Sequence, residues 1–122
     1  MTPSDIERIE KETELKFPQC YIDVVTNYPA ELLKSDAPDF GLLDDPDEII
    51  MENNDVRSSG YFGQKWTERY LIIGKNGCGD YYVVSQESKE FSVGFADHEA
   101  MDCKLYANNL NEFIEKYLSE QE

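Results

Sequence analysis

The strongest evidence for the fold lies in residues Ile72–Glu99, IIGKNGCGDYYVVSQESKEFSVGFADHE. The pattern predicts an apolar strand, a glycine-rich turn, a second strand that begins Tyr-Tyr-Val-Val, and a third strand at Phe91–Ala96 that ends on Asp97-His98-Glu99. Asn76-Gly77 is the dipeptide of the chain that most favours a tight hairpin, because both residues tolerate positive φ. A second turn is predicted at Gln86–Lys89. Strands that follow one another through short turns predict an antiparallel meander.

Two helices are predicted ahead of these strands. The first spans Ser4–Glu14, with Ser4 as its N-cap and Glu7 completing a capping box. The second begins at Phe17-Pro18, because the N–H that proline lacks would be unsatisfied in a first helical turn, and Pro29 ends it. One face of this helix is apolar at i, i+3, i+4 and i+7. The residues of that face are Tyr21, Val24, Val25 and Tyr28.

A loop and two more helices complete the pattern. Ser35–Asp45 is predicted to be a loop, in which Phe40–Leu43 could form an edge strand. Asp45-Pro46-Asp47-Glu48 favours a helix start through its aspartate cap, proline and acidic first turn, and this helix is expected to fray near Asn53-Asn54. The last helix begins near Asn108-Asn109. The order predicts a single α+β domain over residues 1–122, with a mainly antiparallel sheet of about four to six strands between N- and C-terminal helices.

Charge is the most unusual property of the composition. Twenty-six acidic residues and eleven basic ones give the chain a net charge of −15 at pH 7. Nucleic acid and anionic membrane surfaces repel such a chain, so basic proteins or cations are its favourable long-range partners. The alternative interpretation is that the charge only keeps the protein soluble.

Other features of the composition predict a cytoplasmic protein. No apolar run is long enough to span a membrane, and the N-terminus lacks the basic and apolar regions of a signal peptide. The three cysteines are far apart and form no C-x-x-C motif. Free thiols in a reducing compartment are therefore expected.

The acidic residues are most concentrated between Ser35 and Val56, a segment without Lys or Arg. Phe40 and Leu42 lie among the acids, and apolar anchors surrounded by charge suit a protein interface. The segment is therefore a candidate partner-binding surface, although a solvated loop and a helix start would have the same composition. The spacing of a calcium-binding EF-hand is absent. The candidate partner-binding residues are Asp36, Asp39, Phe40, Leu42, Asp44, Asp45, Asp47, Glu48, Glu52 and Asp55.

Two motifs look catalytic but have simpler structural interpretations. The glycine-rich turn lacks the order of a P-loop, because Lys75 comes before the last glycine and a strand follows. Cys78 has only Lys75 as a nearby positive charge that could activate its thiol. His98 is the only histidine, and on a strand Asp97 and Glu99 would point to the opposite face. The sequence therefore predicts no catalytic residue, metal or cofactor, and the triplet is expected to anchor the loop that follows.

The turn and the tryptophan are also expected to be structural. The turn requires positive φ at several positions, which glycine adopts without strain. Asp80 is expected to accept hydrogen bonds from backbone N–H groups of the turn. Trp66, the only tryptophan, is expected to pack on the sheet.

The chain resembles the SUKH superfamily (Smi/Knr type), the fold of many bacterial immunity proteins and of fungal cell-wall regulators. Three short motifs carry the resemblance in order: L-x-F-P-x-x-Y before an apolar helix, a glycine turn that ends on Gly-Asp, and D-H-E at a strand end. The chain departs from the family at Asn27-Tyr28-Pro29, where Asn-Gly is usual. Together with the tryptophan, the structural motif comprises Pro18, Tyr21, Trp66, Gly74, Gly79, Asp80, Asp97, His98 and Glu99.

The resemblance implies a protein that binds other proteins and catalyses nothing. The first hypothesis is a cytoplasmic immunity protein, which binds a cognate toxin domain, a basic nuclease, and occludes its active site. The second is a regulatory scaffold for an endogenous partner, and the third is a hydrolase or metal enzyme centred on His98. No nucleic-acid or membrane partner is expected.

Overall fold

The computed structural model describes residues 1–61, 63, 65–66, 70–76, 79–85, 92–97 and 102–120. The elements in these ranges are α1 (Pro3–Thr13), α2 (Gln19–Thr26), α3 (Ala30–Leu33), α4 (Pro46–Ser59), β1 (Tyr70–Lys75), β2 (Tyr81–Ser85), β3 (Val93–Asp97), β4 (Asp102–Ala107) and α5 (Leu110–Glu120). The strands form an antiparallel sheet in the order β1-β2-β3-β4. The predicted α+β fold is therefore confirmed. Gly77 and the turn at Gln86–Lys89 lie outside the described residues.

The capping box of α1 lies at Thr2 and Asp5, so the prediction of Ser4 and Glu7 was wrong. The Thr2 hydroxyl accepts a hydrogen bond from Asp5 N at 3.1 Å, and Thr2 N donates to the Asp5 carboxylate at 2.9 Å. Pro3 is the first helical residue, a position where its missing N–H has no cost. The proline therefore sets the start of the helix before Ser4.

Helix α4 begins at the predicted place, where the Asp45 side chain accepts a hydrogen bond from Asp47 N at 3.0 Å. The prediction of fraying near Asn53-Asn54 was wrong, because the helix continues beyond these residues. Asn53 is fully buried. Its side-chain amide donates to Ile72 O at 3.0 Å and accepts from Ile72 N at 2.8 Å. The side chain thus satisfies two backbone groups on the outer edge of β1.

The segment Phe40–Leu43 is a turn and not the edge strand that the sequence allowed. It nevertheless bonds to β1 at two places, where Leu43 N donates to Ile73 O at 2.9 Å and Lys75 N donates to Phe40 O at 2.9 Å. Together with Asn53, this turn covers an edge that would otherwise present unpaired backbone groups. The acidic segment is therefore fixed to the sheet at both the loop and the helix.

Two apolar clusters cover the two faces of the sheet. Strand side chains alternate between faces, so Leu71 joins residues of α1, α2 and α5 on one face, while Ile72 belongs to the other. The second, smaller cluster consists of Val56, Tyr61, Trp66, Ile72, Val83 and Ala96. Helix α4 contributes to both clusters, since Ile49 lies in the first and Val56 in the second. It therefore packs along the edge of β1.

Strand β4 was not assigned from the sequence. It pairs with β3, and the register shifts between Val93 and Gly94. Two consecutive residues, Lys104 and Leu105, are both exposed. The sequence alternates polar and apolar residues only over Asp102–Leu105, the shortest run that indicates a strand.

Candidate partner-binding surface

Three of the four acidic residues of α4 lie beside basic residues from other parts of the chain. Asp47 forms an ion pair with Arg8 of α1, and Glu48 forms one with Lys75 at the end of β1. Glu52 lies 3.9 Å from the same Lys75 amine. Their hydrogen bonds to Asp47 and Glu48 raise the pKa values of Arg8 and Lys75. The segment lacks cations in the sequence, but folding places two of them beside α4.

Other carboxylates of the predicted set have structural partners. Asp44 Oδ1 accepts a hydrogen bond from the Met1 amino group at 2.9 Å, and Asp45 caps α4. Glu52 accepts from the Tyr81 hydroxyl at 2.5 Å. Burial and then this hydrogen bond raise the pKa of Tyr81. A partner that contacted these side chains would compete with bonds that already hold the fold.

The carboxylates of the loop before α4 have no such compensation. Asp36 and Asp39 are exposed, and neither forms an ion pair with any residue that the structure describes. Asp36 Oδ1 accepts a hydrogen bond from the Tyr117 hydroxyl of α5 at 2.7 Å. That bond orients the carboxylate without neutralising it. Burial and then the same bond raise the pKa of Tyr117. Asp55 of α4 is likewise exposed.

The two predicted apolar anchors have opposite environments. Phe40 is 36% exposed, whereas Leu42 is fully buried in the main cluster. Leu42 N donates to Ala37 O at 3.0 Å, so the turn folds back and directs this side chain into the core. Leu42 therefore cannot contact a partner, and its assignment to the binding surface is corrected.

Two exposed apolar side chains in or next to the acidic segment were missed by the sequence analysis. Leu33 and Met51 are each 56% exposed. Leu33 follows Leu32 in a short helix, where adjacent side chains point about 100° apart, and Leu32 is the one that is buried. Met51 lies four residues from both Asp47 and Asp55, on the polar face of α4. Helical spacing is therefore the signal that could have identified both.

The N-terminal motif of the sequence forms part of the core. Tyr21 is fully buried, and its ring centroid lies 5.2 Å from that of Phe17. Burial raises the pKa of its hydroxyl. Pro18 is the N-cap of α2 in extended conformation, so the helix begins at Gln19, one residue later than predicted. The motif therefore fixes how α2 packs.

Trp66 is buried in the cluster on the second face of the sheet. Its Nε1 donates to Tyr70 O at 3.1 Å. The indole makes edge-to-face contacts with Tyr61 and Tyr81, at centroid distances of 5.3 and 6.0 Å. The Trp66 side chain thus contacts both the first residue of β1 and the first residue of β2.

The glycine turn has two positions where geometry requires glycine. Gly79 has φ +94, which is strained for other residues. A Cβ on Gly74 would lie 1.7 Å from the Gly41 carbonyl oxygen, so a side chain there would collide with the backbone of the acidic loop. Next to Gly79, the Asp80 carboxylate accepts from Asn76 Nδ2 at 2.9 Å, and Asp80 N donates to Asn76 Oδ1 at 3.1 Å.

The strand-end triplet is described only in part. Asp97 ends β3, where it pairs in register with Asp102 of β4, and His98 and Glu99 lie outside the described residues. Within the described ranges, no group of three or more His, Cys, Asp or Glu side chains could hold a metal ion. None of the helices in those ranges is long and apolar enough to cross a membrane.

Over the residues that the structure describes, the fold is that of an α+β protein in which helices pack around a four-stranded antiparallel meander. A family model described as the SMI1 / KNR4 family (SUKH-1) matches residues 1–116. The chain belongs to this family, which confirms the resemblance to the SUKH superfamily. Members of the family are typically non-enzymatic immunity proteins. No curated protein and no solved structure matches the chain significantly.

Proposed function

We propose that this protein is an immunity protein that binds a cognate bacterial toxin domain in the cytoplasm and neutralises it by covering the active site. Membership of the SMI1 / KNR4 family carries the proposal. The proposed target is a basic nuclease. Nucleases bind phosphates with positive charge, and a chain with a net charge of −15 offers the opposite field.

Charge complementarity would act mainly on the rate of encounter. Opposite fields can raise association to about 10⁸–10⁹ M⁻¹s⁻¹ at low salt, compared with about 10⁵–10⁶ M⁻¹s⁻¹ for neutral partners. Fast capture suits an inhibitor that must reach a nuclease before the nuclease reaches nucleic acid. In this mechanism the protein occupies the cleft of its partner and uses no cofactor or catalytic group.

Co-expression tests the proposal. The product of the reading frame beside this gene would be produced in a bacterial host with and without this protein, and growth and complex formation would be measured. We expect growth arrest without the protein, normal growth with it, and a stoichiometric complex that associates more slowly as salt rises. Arrest that persists beside well-expressed, folded protein would refute the proposal. A stable complex with a harmless neighbour would favour a regulatory scaffold instead.

A histidine variant separates binding from catalysis. His98→Ala removes the only imidazole of the chain, so a reaction that needs it as acid, base or metal ligand would be lost. Neutralisation by binding should persist in the folded variant at a one-to-one ratio. Protection by catalytic amounts of wild-type protein that disappears in His98→Ala would identify an enzyme and overturn the binding mechanism.

A further inference from the structure

The stretch Glu31–Phe40 combines exposed apolar side chains with uncompensated carboxylates. Leu33 is 56% and Phe40 36% exposed. The carboxylates of Glu31, Asp36 and Asp39 are also exposed and form no ion pair within the described part of the chain. Lys34 is the single basic residue of the stretch. The stretch therefore carries two exposed apolar side chains and three exposed carboxylates without ion pairs among the described residues.

This stretch is anchored to the rest of the fold by the buried side chains of Leu32 and Ala37 and by backbone hydrogen bonds at Phe40. Phe40 N donates to Asp36 O at 3.1 Å, and Phe40 O accepts from Lys75 N of β1 at 2.9 Å. On its other side the loop lies against α5, since a Cβ on Gly41 would be 2.3 Å from the Tyr117 ring. A surface that is already ordered loses less conformational freedom when a partner binds.

Helix α4 is the competing surface, and its charges are less available. Met51 is as exposed as Leu33, but three of the four carboxylates of α4 lie within ion-pair distance of Arg8 or Lys75. Within the described ranges only Asp55 has no such cation, against three such carboxylates in the loop stretch. A partner that covered these pairs would have to desolvate them or replace their cations, which opposes the electrostatic gain. Charge complementarity therefore favours the loop over the helix.

We propose that Glu31–Phe40 is a docking patch for a protein whose contact surface has an apolar socket rimmed by lysine or arginine. Leu33 and Phe40 enter the socket, and the carboxylates meet the rim, which is the usual arrangement of an apolar core and a polar rim. The identity of the partner as a toxin rests on the proposed function. The chemistry of the patch does not, so the patch can be tested separately.

A pair of peptides tests the patch without the toxin. The probe is an amidated heptapeptide of alternating lysine and leucine, and the control replaces each leucine by serine at the same charge. Amide shifts of ¹⁵N-labelled protein would be followed during titration. We expect shifts centred on Glu31–Phe40 and binding of the leucine peptide roughly tenfold tighter than that of the serine peptide, because only leucine buries apolar surface. Equal binding of both peptides, or shifts centred on α4, would overturn the proposal.

Matched variants of the protein complete the test. The Leu33→Ser variant should bind the leucine peptide more weakly than wild type. The double variant Leu33→Ser, Phe40→Ser should weaken this binding by roughly tenfold. Met51→Ser removes a side chain of the same 56% exposure as Leu33 and should leave binding unchanged. The single variant at Leu33 keeps the test valid if the double variant unfolds. A Met51→Ser effect as large as that of Leu33→Ser would contradict the patch.

The toxin assay distinguishes failure of the patch from failure of the proposed function. A toxin neutralised equally by wild type and by the folded Leu33→Ser variant, with equal dissociation rates, would refute the patch and leave the immunity function intact. Peptide shifts at Glu31–Phe40 without neutralisation of the neighbouring gene product would support the patch and refute the immunity function.

Discussion

Replacing Asn53 by leucine tests how strongly α4 is joined to the edge of β1. The substitution approximately keeps the volume of the side chain but removes its donor and acceptor. Ile72 N and Ile72 O are bonded to the Asn53 amide at 2.8 and 3.0 Å. Both groups would lose this partner, and Ile72 is fully buried. Each buried unpaired group costs about 1–3 kcal/mol, so the free energy of unfolding should fall by about 2–6 kcal/mol. Since domains are stable by only about 5–15 kcal/mol, the variant should be marginal.

Urea unfolding, followed by circular dichroism and by Trp66 fluorescence, measures this loss. The matched control is Asn54→Leu on the same helix, where the exposed Asn54 amide donates to Glu12 O at 3.3 Å. Changes at such surface positions are usually within about 0.5 kcal/mol. An Asn53→Leu protein that unfolds within about 0.5 kcal/mol of the control, with the same dependence on urea, would refute the role assigned to this amide.

Three further predictions concern packing and titration. Gly74→Ala places a methyl group 1.7 Å from a backbone oxygen and should cost about 1–3 kcal/mol or more. The control Gly63→Ala, at φ +83 in open space, should cost only the backbone strain of about 1–2 kcal/mol. A Gly74→Ala protein with the wild-type melting temperature would contradict the collision. Trp66→Ala should lower the free energy of unfolding by about 3–5 kcal/mol, so a wild-type melting temperature would show that the indole is not part of the core. Burial raises the pKa values of Tyr61 and Tyr81 in the folded state. The stabilisation that these two un-ionised side chains give to the fold is therefore complete below about pH 10 and is lost as pH rises further. An ultraviolet titration in which all tyrosines ionise near pH 10 without unfolding would disprove this.

The acidic segment shows how far a candidate surface can be predicted from sequence. The concentration of carboxylates and the exposure of Phe40 could be predicted from composition and local pattern alone. The burial of Leu42 did not follow from that pattern, because the turn directs it into a core formed by distant elements. The cations of α4 also come from distant positions, Arg8 and Lys75. Charge balance on a surface depends on which elements folding brings together.

Helix α4 and the first three strands could be predicted because their signals are local. An aspartate cap followed by proline acts within one helical turn, and apolar patterns bounded by turns identify strands β1 to β3. Strand β4 has only a four-residue alternation, at Asp102–Leu105. Asn53 appeared to weaken α4 because its buried partner, Ile72, is distant in sequence. The same limit applies to the docking patch. The residues of the patch can be listed from the sequence. Whether they are exposed and free to contact a partner depends on ion pairs and contacts between residues far apart in the chain, and these form only when the chain folds.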